Sequence, residues 1–126
     1  MIDAVATICI FVNDQDQAKA FYTEKLGFEL RQDSPMGESR WLAVAPKGAH
    51  TEVILYKLDA NWEHYRQTMG KSQALTFNVT DMPALYEDLK AKGVRITQEP
   101  DAQPWGTYMM ILDPEGNGLL LVEPPK

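Results

Sequence analysis

Few residues of this chain combine the chemistry and the spacing of a catalytic site. The sequence holds one cysteine, Cys9, and two histidines, His50 and His64. We expect both histidines at the surface, because His50 lies in a turn before a strand and His64 on the polar side of a predicted helix. The sequence contains no GxSxG motif, no Gly-rich phosphate loop and no plausible histidine partner for the cysteine. The residue types therefore indicate no nucleophile.

Glu52 is the one carboxylate predicted to lie near a ligand-facing strand surface. It could act as a base if it were desolvated, but we favour a strand-end carboxylate in contact with water. A divalent cation needs three or four converging N or O donors, so this carboxylate alone does not form a metal site. Arg40 and Lys57, each beside an aromatic residue, could hold an anionic ligand, although isolated cations on strands are usually solvated.

The composition describes an ordinary globular domain. The chain has 126 residues, 44% of them hydrophobic, which suffices for one domain with a core. A net charge of −6 without a cluster of Lys and Arg argues against nucleic acid or an anionic membrane surface as a partner. The N-terminus lacks a signal-peptide pattern and no apolar run reaches membrane-spanning length, which predicts a cytoplasmic protein. The single Cys9 excludes an internal disulfide, and we expect it to be a small buried hydrophobe.

The first half of the chain predicts a β-α-β-β-β unit. A run rich in β-branched residues is followed by a helix that Asp14 caps and Gly27 ends. A loop over 33–37 separates the second strand from the third. The predicted elements are a strand at Thr7–Val12, a helix at Gln15–Leu26, and strands at Phe28–Arg31, Trp41–Val44 and Glu52–Lys57.

The second half repeats this plan at an offset of 66 to 68 residues. Asp81 caps its helix and Gly93 ends it, a loop over 100–106 precedes the next strand, and a hairpin turn over 113–118 joins the last two strands. The predicted repeats cover residues 5–57 and 73–123. Between them, apolar residues at helical spacing predict a connector helix at about 59–69, which could cover its own core or face a partner subunit. The strands of the second copy are Leu75–Val79, Val94–Thr97, Tyr108–Leu112 and a final strand after the turn.

Two motifs carry a family resemblance: FYxxxLGF over Phe21–Phe28 and DPxGN over Asp113–Asn117. With the surrounding frame, they make the chain resemble the vicinal-oxygen-chelate superfamily, which includes glyoxalase I, extradiol dioxygenases, fosfomycin-modifying enzymes and bleomycin-resistance proteins. The resemblance implies an α+β fold. It further implies that two tandem βαβββ modules form a curved mixed sheet around a cavity, with helices on the outer face, in a single domain that usually forms a homodimer.

The metal-using members of this superfamily carry His, Gln or Glu at four inward positions. By motif spacing, the resemblance places these positions at Thr7, Ile54, Ala74 and Leu120, none of which is a plausible ligand. We therefore predict no metal and no cofactor. Whether the protein is an enzyme stays undecided, with the balance against it.

Strand alternation predicts which residues face the cavity, since one face of each sheet must be apolar to pack on the helix. Trp105, in the loop after the sixth strand, could form a lid. The expected ligand-binding residues are Thr7, Trp41, Glu52, Tyr56, Thr76, Asn78, Trp105, Tyr108 and Met110. The alternative is that these aromatic residues simply fill a core.

Three functions remain open. The first is metal-independent binding of a small aromatic or amphipathic molecule between paired modules, as in the bleomycin-resistance branch. The second is a metal-dependent lyase or dioxygenase of the glyoxalase type. The third is a scaffold or sensor without catalytic activity.

Overall fold

The computed structural model describes residues 1–37, 39–57 and 75–125, with only the backbone of Met36. The chain divides into two compact units, Met1–Met69 and Gly70–Lys126. The predicted connector helix at 59–69 lies outside the described residues. Whether the two units form one domain, as predicted for residues 1–126, stays a prediction.

Both units have the predicted order of a strand, a helix and three further strands. Among the helices of the described segments, none is both long and apolar enough to cross a bilayer. The elements of the first unit are β1 (Thr7–Val12), α1 (Gln15–Ala20) with a π-helical turn (Phe21–Lys25), β2 (Glu29–Met36), β3 (Ser39–Ala45) and β4 (Glu52–Lys57). Those of the second are β5 (Leu75–Asn78), α2 (Met82–Ala91), β6 (Arg95–Gln103), β7 (Gly106–Leu112) and β8 (Gly118–Glu123).

The strands form two four-stranded mixed sheets, one in each unit. Their orders are β1-β4-β3-β2 and β5-β8-β7-β6, so the two units share one topology. In each unit the first strand pairs in parallel with the last, and the other neighbours are antiparallel. A parallel pair requires a long crossover connection, which the helix and the two middle strands supply. The predicted α+β class and the two βαβββ modules are confirmed.

The helix caps follow the predicted chemistry. Asp14 accepts a hydrogen bond from the backbone N–H of Gln17 at 2.9 Å, and Asp81 accepts one from that of Ala84 at 3.2 Å. Each carboxylate thereby satisfies an N–H that the first helical turn leaves without a partner. At the other end Gly27 has φ 76°, a conformation that favours glycine.

The helix of the first unit differs from the prediction in its second half, which is π-helical. Asp14 and Gly27 are one residue further apart than their counterparts in the second unit. The wider turn accommodates this extra residue, because the N–H of Leu26 bonds to the carbonyl of Phe21, five positions back, at 3.1 Å. One inserted residue therefore explains why the offset between the repeats changes along the helix.

One face of each sheet packs on the helix of its unit. In the first unit, Lys19 on α1 pairs with Asp33, whose strand partner is Leu42, so the Leu42 face is the helix side. In the second, Glu123 on the Leu121 face accepts a hydrogen bond from the first residue of α2. Sheet residues on these sides are buried, as a face that packs on a helix requires: Ile10, Val12, Leu42, Val44, Met109, Ile111, Leu119 and Leu121. Ile8 departs from this pattern, with 37% of its surface exposed.

The loops predicted at 33–37 and 100–106 are wrong, since most of their residues belong to β2, β6 and β7. Both β2 and β6 are edge strands, where Pro35 and Pro100 remove no hydrogen bond from a second neighbour. Register shifts in both strands interrupt the alternation of side chains. These features interrupt the period-two pattern by which a strand is recognised in a sequence.

Candidate functional site

The sheet face opposite the helix carries the predicted ligand-binding residues in each unit; we call it the distal face. Cα partners on neighbouring strands share a face, so the strand pairings define its members. In the first unit it comprises Thr7, Cys9, Phe11, Glu29, Gln32, Ser34, Ser39, Trp41, Ala43, Ala45, Glu52, Ile54 and Tyr56. In the second it comprises Thr76, Asn78, Arg95, Gln98, Asp101, Gln103, Tyr108, Met110, Leu112, Leu120 and Val122.

The first unit brings four predicted site residues to one face. Thr7 is the Cα partner of Glu52, and Tyr56 is that of Phe11. Trp41 lies on the same face through its strand. Thr7 is exposed, whereas the three larger side chains are half-buried. This half of the predicted site is therefore an aromatic surface with a hydroxyl and a carboxylate at one end.

Glu52 is ion-paired rather than isolated. Its carboxylate lies 3.7 Å from a guanidinium nitrogen of Arg31. The same guanidinium donates to the carbonyl of Ala49 at 2.9 Å and pairs with Glu29 at 2.9 Å. Arg31 thus ties the strand-end carboxylate to the turn before β4. This arrangement supports a structural role for Glu52 over that of a general base.

The second unit contributes the other predicted residues. Thr76 and Asn78 are exposed, while Tyr108 and Met110 are half-buried. Within the described parts of each unit, the predicted residues share a face. Their arrangement around a common cavity, and their role in ligand binding, stay predictions.

Trp105 lies in the tight turn between β6 and β7. Since Gln103 and Gly106 are Cα partners, the turn consists of Pro104 and Trp105. The Trp105 ring stacks on that of Tyr108, with 5.3 Å between centroids and an interplanar angle of 30°. Trp105 is nevertheless 54% exposed. The turn therefore presents a flat aromatic surface next to the distal face.

Gly106 makes this turn possible. A Cβ at this position would lie 2.6 Å from the backbone oxygen of Glu123, and its φ of 138° is one that L side chains rarely adopt. The glycine permits β7 to approach β8 closely at the point where the hairpin turns. Backbone geometry thus fixes the start of the strand that carries Tyr108.

The prediction that Cys9 is buried is wrong, because the residue is exposed. It lies on the distal face, in agreement with strand alternation, as its pairing with Ile54 shows. Desolvation of the thiol by its neighbours still raises its pKa to about 11. The thiol is therefore protonated at neutral pH and is a poor nucleophile.

The residues at the positions that the resemblance assigns to metal ligands offer few donor atoms. Thr7 offers one hydroxyl, and Ile54 and Leu120 offer no donor; Ala74 lies outside the described residues. Across the described segments, no three His, Cys, Asp or Glu side chains converge. His50 is exposed, in agreement with its predicted surface position, and His64 is not among the described residues.

The anion-binding role considered for Arg40 is not supported, because two carboxylates of the protein bind its guanidinium on the helix side. Its guanidinium contacts both carboxylate oxygens of Asp33, at 2.7 and 2.8 Å, and one of Asp16 at 2.7 Å. Hydrogen bonds from Arg40, and then from Lys19, hold the pKa of Asp33 well below its usual range. This ion-pair network joins α1 to β2 and β3, and the sequence did not predict it.

A polar pocket of about 390 Å³ adjoins this network at the carboxyl ends of β1 and β4. Lys57, the second candidate anion ligand, lines it. Two carboxylates of the α1 start and the paired Arg40 line it too, so its charges are mixed. Its lining residues are Asn13, Asp14, Gln15, Asp16, Arg40 and Lys57.

Comparison with known proteins agrees with this fold. A model of the Glyoxalase/Bleomycin resistance protein/Dioxygenase superfamily matches residues 2–121. The chain belongs to this superfamily. The resemblance predicted from the FYxxxLGF and DPxGN motifs is thereby confirmed.

The members of the superfamily that are similar to this chain include a binding protein and an enzyme. The uncharacterized protein YetH of Bacillus subtilis is 40% identical over 124 residues, which cover 98% of this chain and 100% of YetH. TnmS3, an antibiotic binding protein from Streptomyces sp. CB03234, is 35% identical in sequence, and its crystal structure superposes on 98% of both chains with a TM-score of 0.87. Lactoylglutathione lyase of Salmonella typhimurium is 28% identical over 116 residues, 89% of this chain and 86% of the enzyme.

Proposed function

We propose that the protein binds a small planar aromatic or amphipathic molecule on its distal faces without a metal. The observation that carries the proposal is the stack of Trp105 on Tyr108 beside a sheet face that also holds neutral hydrogen-bonding groups. Planar rings bind such surfaces by offset stacking, and a few polar groups fix their orientation. The proposed site is shared between paired modules of a cytoplasmic homodimer.

The donors available support binding over metal-dependent catalysis. Ile54 and Leu120 are aliphatic where the metal-using relatives are expected to carry ligands, and Glu52 is held by Arg31. The described face therefore has aromatic area and hydroxyl or amide groups, but no set of converging ligands. TnmS3, at 35% identity, is described as an antibiotic binding protein, which supports the same class of function here.

The second candidate is a lyase of the glyoxalase type, favoured by 28% identity to lactoylglutathione lyase. It requires a metal-binding set that Thr7, Ile54 and Leu120 do not provide. The third candidate, a scaffold or sensor, would share the fold without measurable affinity for planar compounds.

The test is a titration of wild-type protein with uncharged planar tricyclic compounds, followed by intrinsic fluorescence and calorimetry. We expect Trp105→Ala to weaken binding by about 1 kcal/mol, the scale of one stacked aromatic pair. Tyr86→Ala is the matched control, since Tyr86 is an aromatic residue on α2, away from the distal face. Equal effects of both variants, or no binding to the wild type, would contradict the proposal.

A further inference from the structure

Asp101 places a carboxylate beside the aromatic stack. It is the Cα partner of Tyr108 on the neighbouring strand, so the two side chains project from the same face. Directly opposed residues of an antiparallel pair have Cβ atoms about 5 Å apart, within reach of an aromatic ring. The carboxylate is therefore a neighbour of any ring that lies on the Trp105 and Tyr108 surface.

No cation of the described residues neutralises this carboxylate. Its polar contact is with Gln103, whose side-chain amide donates to one carboxylate oxygen at 3.1 Å. This neutral donor holds the carboxylate in place and leaves its charge uncompensated. The residue is half-buried, so water screens the charge less than it would on an open surface.

The described cations of β6 and of the end of α2 lie away from this carboxylate. Arg95 shares the distal face through its Cα partner Leu112, but it lies at the opposite end of β6 from Asp101 and donates to the backbone carbonyl of Asp113 at 2.9 Å. Lys92 pairs with Asp88 on α2 at 2.9 Å, and α2 covers the opposite side of the sheet. Among the described residues, the charge adjacent to the aromatic stack is therefore negative.

The geometry points to a planar aromatic cation as the preferred ligand of this site, with Asp101 as the residue that selects for positive charge. This inference rests on the proposed function and adds the charge of the ligand to it. A ring that carries an amine or a protonated nitrogen can stack on Trp105 and place its charge near the carboxylate. The electron-rich faces of Trp105 and Tyr108 also attract a cation. An anionic ring of the same size meets repulsion at the same position.

The experiment compares two planar tricyclic probes of opposite charge, an aminoacridine cation and an anthraquinone sulfonate. We expect wild-type protein to bind the cation more tightly, with a preference that shrinks as the ionic strength rises from about 0.05 M to about 0.5 M. Asp101→Asn should weaken binding of the cation roughly three- to fivefold, in the range of a partly exposed ion pair, and should not weaken binding of the anion.

Glu99→Gln is the matched control. Glu99 lies two residues away on β6 and accepts a hydrogen bond from Tyr86 on α2 at 3.1 Å, so its carboxylate faces the helix side. The variant changes the net charge by the same amount without altering the distal face, and we expect cation affinity to be unchanged.

The inference is overturned if wild-type protein binds the anion as tightly as the cation. It also fails if Asp101→Asn lowers both affinities equally, which would indicate a structural effect on the hairpin, or if Glu99→Gln causes the same loss. In each case the proposed function stands, because planar compounds still bind. If neither charged probe nor the uncharged compounds bind to the wild type, the proposed function fails together with the inference.

Discussion

Replacement of Asp113 by alanine should strongly destabilise the second unit. Asp113 is 1% exposed, and its carboxylate accepts hydrogen bonds from the backbone N–H groups of Glu115 at 2.9 Å and Asn117 at 2.8 Å, and from the Asn117 amide at 2.9 Å. These bonds hold the turn that joins β7 to β8. Because β8 lies between β5 and β7, the turn sets the register of the central strands.

The magnitude follows from these contacts. A net hydrogen bond contributes about 1 kcal/mol, and a buried donor left without a partner costs roughly 1–3 kcal/mol more. Asn117 is 2% exposed, so its amide would lose this hydrogen bond away from water. We expect a loss of about 3–5 kcal/mol, a large part of the stability of roughly 5–15 kcal/mol that is typical of a native protein.

The assay is urea unfolding followed by far-UV circular dichroism, in which the midpoint should fall by on the order of 2 M. Asp3→Ala is the matched control, because Asp3 is exposed and has no hydrogen bond among the described residues. The double variant with Asn117→Ala should lose less than the sum of the two single losses, since both changes remove the same side-chain bond. A loss below about 1 kcal/mol for Asp113→Ala would refute the reasoning.

Three further outcomes are expected. Asp33→Asn should cost about 0.5–1.5 kcal/mol at pH 7, because it removes the bidentate pair with Arg40 and the pair with Lys19. Because the folded-state pKa of Asp33 is lowered, its contribution to the free energy of unfolding is present above the ordinary carboxyl pKa of about 4 and is lost as the pH falls below that value. Unfolding midpoints measured between pH 7 and pH 2 should show this loss in the wild type but not in the variant. With a pKa of about 11, about one Cys9 thiol in a thousand is ionised at pH 8, so iodoacetamide should alkylate it at least about tenfold more slowly than free cysteine. An equal rate would show that the thiol is not desolvated. Elemental analysis after dialysis against a weak chelator should find no stoichiometric metal, and added nickel, zinc, manganese or ferrous iron should produce no glyoxalase or extradiol dioxygenase turnover; near-stoichiometric metal would favour the enzyme hypothesis.

The parts of the fold predicted correctly were those that local chemistry determines. A carboxylate before a helix and a glycine after it mark the same geometry in any context, so the caps at Asp14 and Asp81 were found from the sequence. The repeat of these signals gave the two βαβββ modules. Uninterrupted alternation placed Trp41 and Tyr108 on the face opposite the helix.

Features that depend on neighbouring strands could not be predicted in this way. The outer parts of β2 and β6 contain prolines that an edge position tolerates, and both strands carry register shifts. The two carboxylates on Arg40 come from α1 and β2, so their convergence is a property of the tertiary structure. Asp101 was placed in a predicted loop for the same reason, and its position opposite Tyr108 became visible only through the strand pairing.

The central claim is metal-independent binding of a planar molecule by the distal faces, and it is tested most directly by calorimetric titration in the presence of a chelator. Wild-type protein should bind uncharged tricyclic compounds, and Trp41→Ala should weaken that binding by on the order of 1–3 kcal/mol, the scale of losing a stacked aromatic contact. Tyr86→Ala should leave the affinity unchanged. Binding that disappears with the chelator, or that Trp41→Ala does not affect, would contradict the account.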